Sequence, residues 1–105
     1  RLQLHQHYSR ERSRYLIKKK REEYISNHGQ LRCEICSLSE GDNYPIDFGA
    51  PFIEVHHIVP LSSVSGQVRT GLKDLLLLCA NCHRTIHSSH DVETNLKRLR
   101  EHYKV

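Results

Sequence analysis

Tryptophan and methionine are missing from this chain, phenylalanine occurs twice, and apolar residues make up only 37% of its 105 positions. So little bulk excludes a large hydrophobic core, and a small core calls for an added staple. No run of 18 apolar residues is present, which excludes an ordinary membrane-spanning helix. Nor does the chain open with the charged, apolar, small-residue series of a secretory signal, so a soluble, cytoplasmic protein is expected. The missing initial Met leads us to expect a portion of a longer protein. The length suits one domain, and no internal repeat is present.

What is present is distributed unevenly. The formal charge is +4, but residues 1–21 hold eight Lys or Arg against the single acid Glu11, a local balance of +7. The remaining 84 residues balance at −3. A basic arm of this kind, with Lys18, Lys19 and Arg21 in its densest stretch, is what attraction to a phosphate backbone uses, although a solvated helix face has the same composition.

Four cysteines form two pairs, Cys33-x-x-Cys36 and Cys79-x-x-Cys82, separated by 42 residues. A two-residue gap turns both thiolates of a pair toward one ion, and two such knuckles complete the tetrahedral sulfur shell of structural zinc. Disulfides are the alternative, which the lack of a secretory signal and the paired spacing disfavour. Four thiolates leave no open position, so this zinc is expected to hold the fold and do no chemistry.

The chain around the knuckles alternates helix and strand signals. Ser13 to His28 lacks Gly and Pro, carries Leu16, Ile17, Tyr24 and Ile25, and ends before Gly29, which predicts a basic helix. Ser39 to Pro51 collects turn residues and reads as a loop. Phe52 to His56 predicts a short strand, followed by Val59 and Pro60 leading outward and a polar stretch from Ser62 to Gly71. Asp74 opens the apolar run Leu75 to Leu78, a returning strand or a buried turn. Ala80 to His87 predicts a helix, and Asp91 is placed to cap a final one with Leu96, Leu99 and Tyr103 on a common face.

Chemistry concentrates in Glu54-Val55-His56-His57 and in His83-Arg84-Thr85-Ile86-His87. His83 and His87 are four apart, so on a helix both imidazoles leave one face toward a common centre and can share a metal. His56 and His57 are adjacent, so on a strand they point to opposite sides and take different roles. One completes a three-imidazole shell with positions open for water and phosphate; the other remains free to take a proton near neutral pH. Arg84, on the same helix, can pair with a phosphate oxygen or be solvated. His5, His7, His28, His90 and His102 fit no ligand spacing.

The segments Glu54-Val55-His56-His57-Ile58-Val59-Pro60-Leu61 and Asp74-Leu75-Leu76-Leu77-Leu78-Cys79-Ala80-Asn81-Cys82-His83, followed by His87, resemble the HNH endonuclease family. The resemblance runs from about Leu31 to His87. The two-knuckle variant is similar to HNH modules of restriction enzymes that attack modified DNA, and the His-rich site to that of the nuclease colicins. It implies an α+β fold, a small ββα-metal (His-Me finger) core with flanking helices, stapled by the four-cysteine zinc. Three segments follow: a basic N-terminal arm and helix over 1–30, the nuclease core over 31–90 and a C-terminal helix over 91–105, all in one domain.

By position, His57 matches the family's general base, and His56, His83 and His87 match the ligands of one catalytic divalent ion. Glu54 matches an acid beside the site that orients an imidazole. Asp74 stands where the family has its middle-letter Asn, as a loop brace or as a further ligand; Asn81 fits that place poorly. A three-imidazole shell favours Mn, Ni, Co or Zn over Mg.

The function implied is metal-dependent hydrolysis of DNA, double-stranded by expectation, by nicking or restriction-type cleavage. Products would carry 5′-phosphate and 3′-hydroxyl ends. Arg84, Lys18, Lys19 and Arg21 would contact substrate. Two other classes fit parts of the pattern: a non-catalytic zinc-stapled DNA-binding module, which would have no use for His57, and a colicin-like toxin domain, which would need an inhibitory partner. RNA stays open as substrate, and a homodimer would allow double-strand cutting.

Overall fold

The computed structural model describes the backbone of residues 2–58 and 71–105 and, within these, side chains other than those of residues 2–12, 40, 43 and 46. The stretch from Val59 to Thr70, with the expected outward Pro60 and most of the polar loop, lies outside the described residues. No helix is long and apolar enough to cross a membrane among those described.

Helix α1 runs from Leu2 to His28, eleven residues further toward the N-terminus than the apolar pattern marked. The extension has no apolar stripe to announce it; an unbroken absence of Gly and Pro, with the helix-favouring Leu2, Gln3, Leu4, Gln6, Arg10, Glu11 and Arg12, is enough for helix. Gly29 ends it as expected, with φ +88° and its N–H on the Ile25 carbonyl at 2.7 Å, the left-handed cap that glycine adopts without strain.

Cys33 and Cys36 follow on a tight turn bracketed by the Arg32–Ser39 bridge, in which Cys33 N–H donates to Leu38 O at 2.9 Å. A one-turn helix α2, Glu40–Asn43, and a 3₁₀ turn, Ile46–Phe48, occupy the expected loop. Strand β1, Ile53–His57, lies antiparallel to β2, Leu75–Cys79, with Ile53 opposite Cys79 and His57 opposite Leu75. The first strand begins and ends one residue later than expected, so both His56 and His57 belong to the ladder. A 3₁₀ turn, Leu72–Asp74, precedes β2; helix α3, Ala80–Ile86, leaves it directly; helix α4, Val92–Tyr103, completes the order.

All five residues of β2 are buried, which is why its sequence is a continuous apolar run rather than an alternation. Leu77, Leu78 and Ile86 are fully enclosed, and Ile53, Leu76, Ile35, Leu31 and Leu96 join them in one core. Burying each such side chain contributes about 1.5–3 kcal/mol. Asp91 caps α4 by accepting from Thr94 N at 3.1 Å, as its sequence position predicted. Asn95 then donates to Ile86 O at 2.9 Å, tying α4 to the end of α3.

A candidate metal-dependent active site

Cys79 is at once the last residue of β2, the N-cap of α3 and a member of the second knuckle. No disulfide forms; the four sulfurs of Cys33, Cys36, Cys79 and Cys82 all lie within 4.8 Å of one another. Cys36 Sγ and Cys79 Sγ are 3.7 Å apart, against about 3.8 Å for neighbouring sulfurs of a tetrahedron with zinc–sulfur bonds of about 2.3 Å. In each pair the first sulfur accepts the N–H of the second cysteine, at 3.5 Å for Cys33 and 3.4 Å for Cys79, which favours thiolate.

Four thiols this close cannot all ionise unaided. Burial opposes ionisation of Cys33, but backbone N–H donors outweigh it and set its pKa below the ordinary thiol value. Burial, reinforced by Cys33, then raises Cys36 to about 11 and Cys82 further still. A divalent cation removes that conflict, so the cluster fits structural zinc in donor type, spacing and charge.

The knuckle is fastened to the ribbon by Glu34, a residue the sequence did not single out. Its N–H donates to Leu77 O and its carboxylate accepts from Leu77 N–H, both at 2.8 Å. Lys20 of α1 reaches the same carboxylate at 3.4 Å. The only sequence hint is an acid between two metal ligands. Arg21 fastens α1 to the other strand, donating to Ile53 O at 2.7 Å and to Gly49 O at 3.3 Å. Lys18 and Lys19 remain exposed, Lys18 with a loose contact to Glu22 at 3.9 Å.

Because α3 starts without a linker, its register against the ribbon is fixed, and His83 and His87 face β1. There they meet His56, which is only 6% exposed. The ring centroids of His56, His83 and His87 are 4.9–5.4 Å apart, and one nitrogen of each lies within 4.8 Å of the others. His56 Nδ1 and His87 Nε2 are 3.4 Å apart, the separation of about 3.4 Å that two nitrogens have on tetrahedral zinc with bonds of about 2.0–2.1 Å.

Glu54, two residues before His56 and so on the same side of β1, holds His83 Nδ1 at 2.9 Å, leaving Nε2 for another partner. Burial, then the neighbouring His83, His87 and His57, pushes the His56 pKa down to about 4, so this imidazole is neutral at pH 7, as a metal ligand must be.

His57 points to the other side of β1 and is half-buried; among the described residues its ring has no hydrogen-bond partner. Asp74 braces the same end of the ribbon. Its carbonyl accepts from Ile58 N–H and its carboxylate from Gly71 N–H, both at 2.8 Å, and it is not among the converging ligand atoms. An open groove of about 650 Å³ runs over the imidazole cluster, lined by Glu54, Asn81, His83, Arg84, His87 and Ser88. Arg84 is exposed there, with no hydrogen bond or ion pair among the described residues.

An antiparallel two-stranded ribbon, a helix laid across it and imidazoles from both meeting at one point define the ββα class of metal-dependent folds. Residues 33–89 match the profile of the HNH endonuclease family, and the chain belongs to that family of phosphodiester-cleaving enzymes. It is also 36% identical over 69 residues to the type IV methyl-directed restriction enzyme EcoKMcrA of Escherichia coli strain K12, a match covering 64% of this chain and 22% of that protein. The matched region thus spans about a fifth of the relative's length. No solved structure matches the chain.

Proposed function

We propose that this chain hydrolyses phosphodiester bonds in double-stranded DNA, with a divalent ion held by His56, His83 and His87 and with His57 as general base. Support comes above all from the convergence of three imidazoles at an open groove, with a fourth, His57, adjacent to His56 in the chain and without a hydrogen-bond partner among the described residues. The methyl-directed restriction activity in the relative's name supports DNA as the substrate.

When bound, the ion supplies Lewis-acid stabilisation of negative charge on the scissile phosphate, an effect worth several kcal/mol. His57 takes the proton from the attacking water as general base; among the described residues its ring has no hydrogen-bond partner that would compete for that role. Glu54 acts through His83, keeping the imidazole in the tautomer that presents Nε2 to the site. Asp74 serves as a brace, fixing the ribbon just beyond His57 through Ile58. Arg84 pairs with a phosphate oxygen, and Lys18 and Lys19 attract the DNA backbone from α1. Arg21 supports that helix from below through its two carbonyl partners. The all-imidazole shell favours Mn, Ni, Co or Zn over Mg, and the products carry 5′-phosphate and 3′-hydroxyl ends.

The test is cleavage of supercoiled plasmid with each metal and with EDTA, comparing the unaltered chain with His57→Ala. Metal-dependent nicking or linearisation is expected, reduced about 10²- to 10⁴-fold in His57→Ala while metal content stays the same. Equal cutting by the two proteins would remove His57 from the mechanism. Absence of cutting with every metal, alongside retained DNA binding, would replace the proposal with a zinc-stapled binding module.

A further inference from the structure

Two side chains in the groove lie outside both ligand clusters and, among the described residues, outside the side-chain hydrogen bonds. Asn81 lies between Cys79 and Cys82, and Arg84 one turn further on, next to His83. In a two-residue knuckle both cysteines turn inward to the ion, so the residues between them turn outward; Ala80 and Asn81 are accordingly exposed and form one end of the groove wall. Residues three apart on a helix are neighbours, so the carboxamide of Asn81 and the guanidinium of Arg84 open to the same space.

Neither side chain has a hydrogen-bond or ion-pair partner among the described residues, whereas Ser88, also in the groove wall, donates its hydroxyl to Thr85 O at 2.6 Å. The imidazoles of His83 and His87 form one row along α3; Asn81 and Arg84 form a second beside it.

We infer that Asn81 and Arg84 together bind the phosphodiester next to the scissile one on the cut strand, so that the zinc knuckle builds a wall of the substrate site as well as stapling the fold. The inference rests on the DNA-cleaving reading above. The chemistry is complementary: a phosphodiester offers two charged acceptor oxygens, Arg84 offers a fixed fork of donors, and the Asn81 carboxamide adds an N–H pair without adding charge. Binding the flanking phosphate sets the strand's position along the groove before reaction, so its loss falls on KM rather than kcat.

The experiment measures cleavage kinetics on a short labelled duplex, and the salt dependence of binding to it without divalent metal, for Asn81→Asp, Arg84→Gln and the double variant. Zinc and second-metal content are recorded for each. Asn81→Asp sets a carboxylate against the phosphate and is expected to raise KM about tenfold, the ratio set by loss of one charge-assisted hydrogen bond. Arg84→Gln is expected to raise KM similarly and to lower the slope of log affinity against log salt by about one. The double variant should fall short of the product of the two effects, because both side chains serve one phosphate.

Unchanged KM in Asn81→Asp with an unchanged slope in Arg84→Gln, in chains that cut normally, overturns the inference while leaving the nuclease intact. If Asn81→Asp loses zinc, the slope and KM of Arg84→Gln decide alone. An unaltered chain that fails to cut with any metal refutes the nuclease reading instead.

Discussion

At single residues, the candidate site contains side chains that bear on it through a neighbour. Glu54 is such a side chain: it is exposed, yet its carboxylate fixes which nitrogen His83 presents. Glu54→Ala is expected to weaken metal binding at the imidazole cluster about 10- to 100-fold in calorimetric titration, with cysteine-bound zinc unchanged. His56 carries a pH signature. Its folded pKa of about 4 lies below the 6.5 of a free imidazole, so between these values the unfolded chain binds a proton that the folded chain refuses. Stability from this group is complete above about pH 6.5 and is lost as the pH falls toward 4, by up to about 3 kcal/mol. Denaturant unfolding after removal of the second metal checks this: the unaltered chain should lose more stability than His56→Gln between pH 7 and pH 5, and parallel losses would contradict it.

At the scale of elements, the readable parts were those with one dominant local signal. Gly29 closes α1 and Asp91 opens α4 because each cap needs a particular residue, and Asp91→Ala is expected to cost about 1 kcal/mol in thermal unfolding. The Leu75–Leu78 run left strand and buried turn undecided, since burial on both faces erases periodicity; pairing with β1 decides it. The N-terminal half of α1 escaped detection because a segment free of Gly and Pro forms helix without an apolar stripe to mark it. In the site, ligand spacing announced the two knuckles and the His83–His87 pair, and these residues do come together. Long-range partnerships were not legible: nothing local says that Glu34 will bond Leu77, 43 positions away, or that Arg21 will find the carbonyls of Gly49 and Ile53. Such contacts depend on how elements dock, which a window along the chain cannot see.

For the whole molecule, the cysteine cluster and the histidine cluster both cross-link elements around a small core. The cysteine cluster joins the segment after α1 to the junction of β2 and α3, and the histidine cluster joins β1 to α3. Cys36→Ser, a change at a half-buried sulfur, is expected to abolish stoichiometric zinc and to turn a sharp thermal transition into a broad one. A cooperative melt after that change would mean that the apolar core stands without its staple.

The absence of any linker between β2 and α3 has a consequence for how the gene can vary. Each residue added or removed after Cys79 rotates the following helix by about 100° against the ribbon. A single-codon deletion there would bring Arg84 to the place of His83 and Ser88 to that of His87, replacing two imidazoles by a cation and a hydroxyl; a single-codon insertion would bring Cys82 and Ile86. At this junction a change in chain length would therefore displace the imidazoles as surely as substituting them.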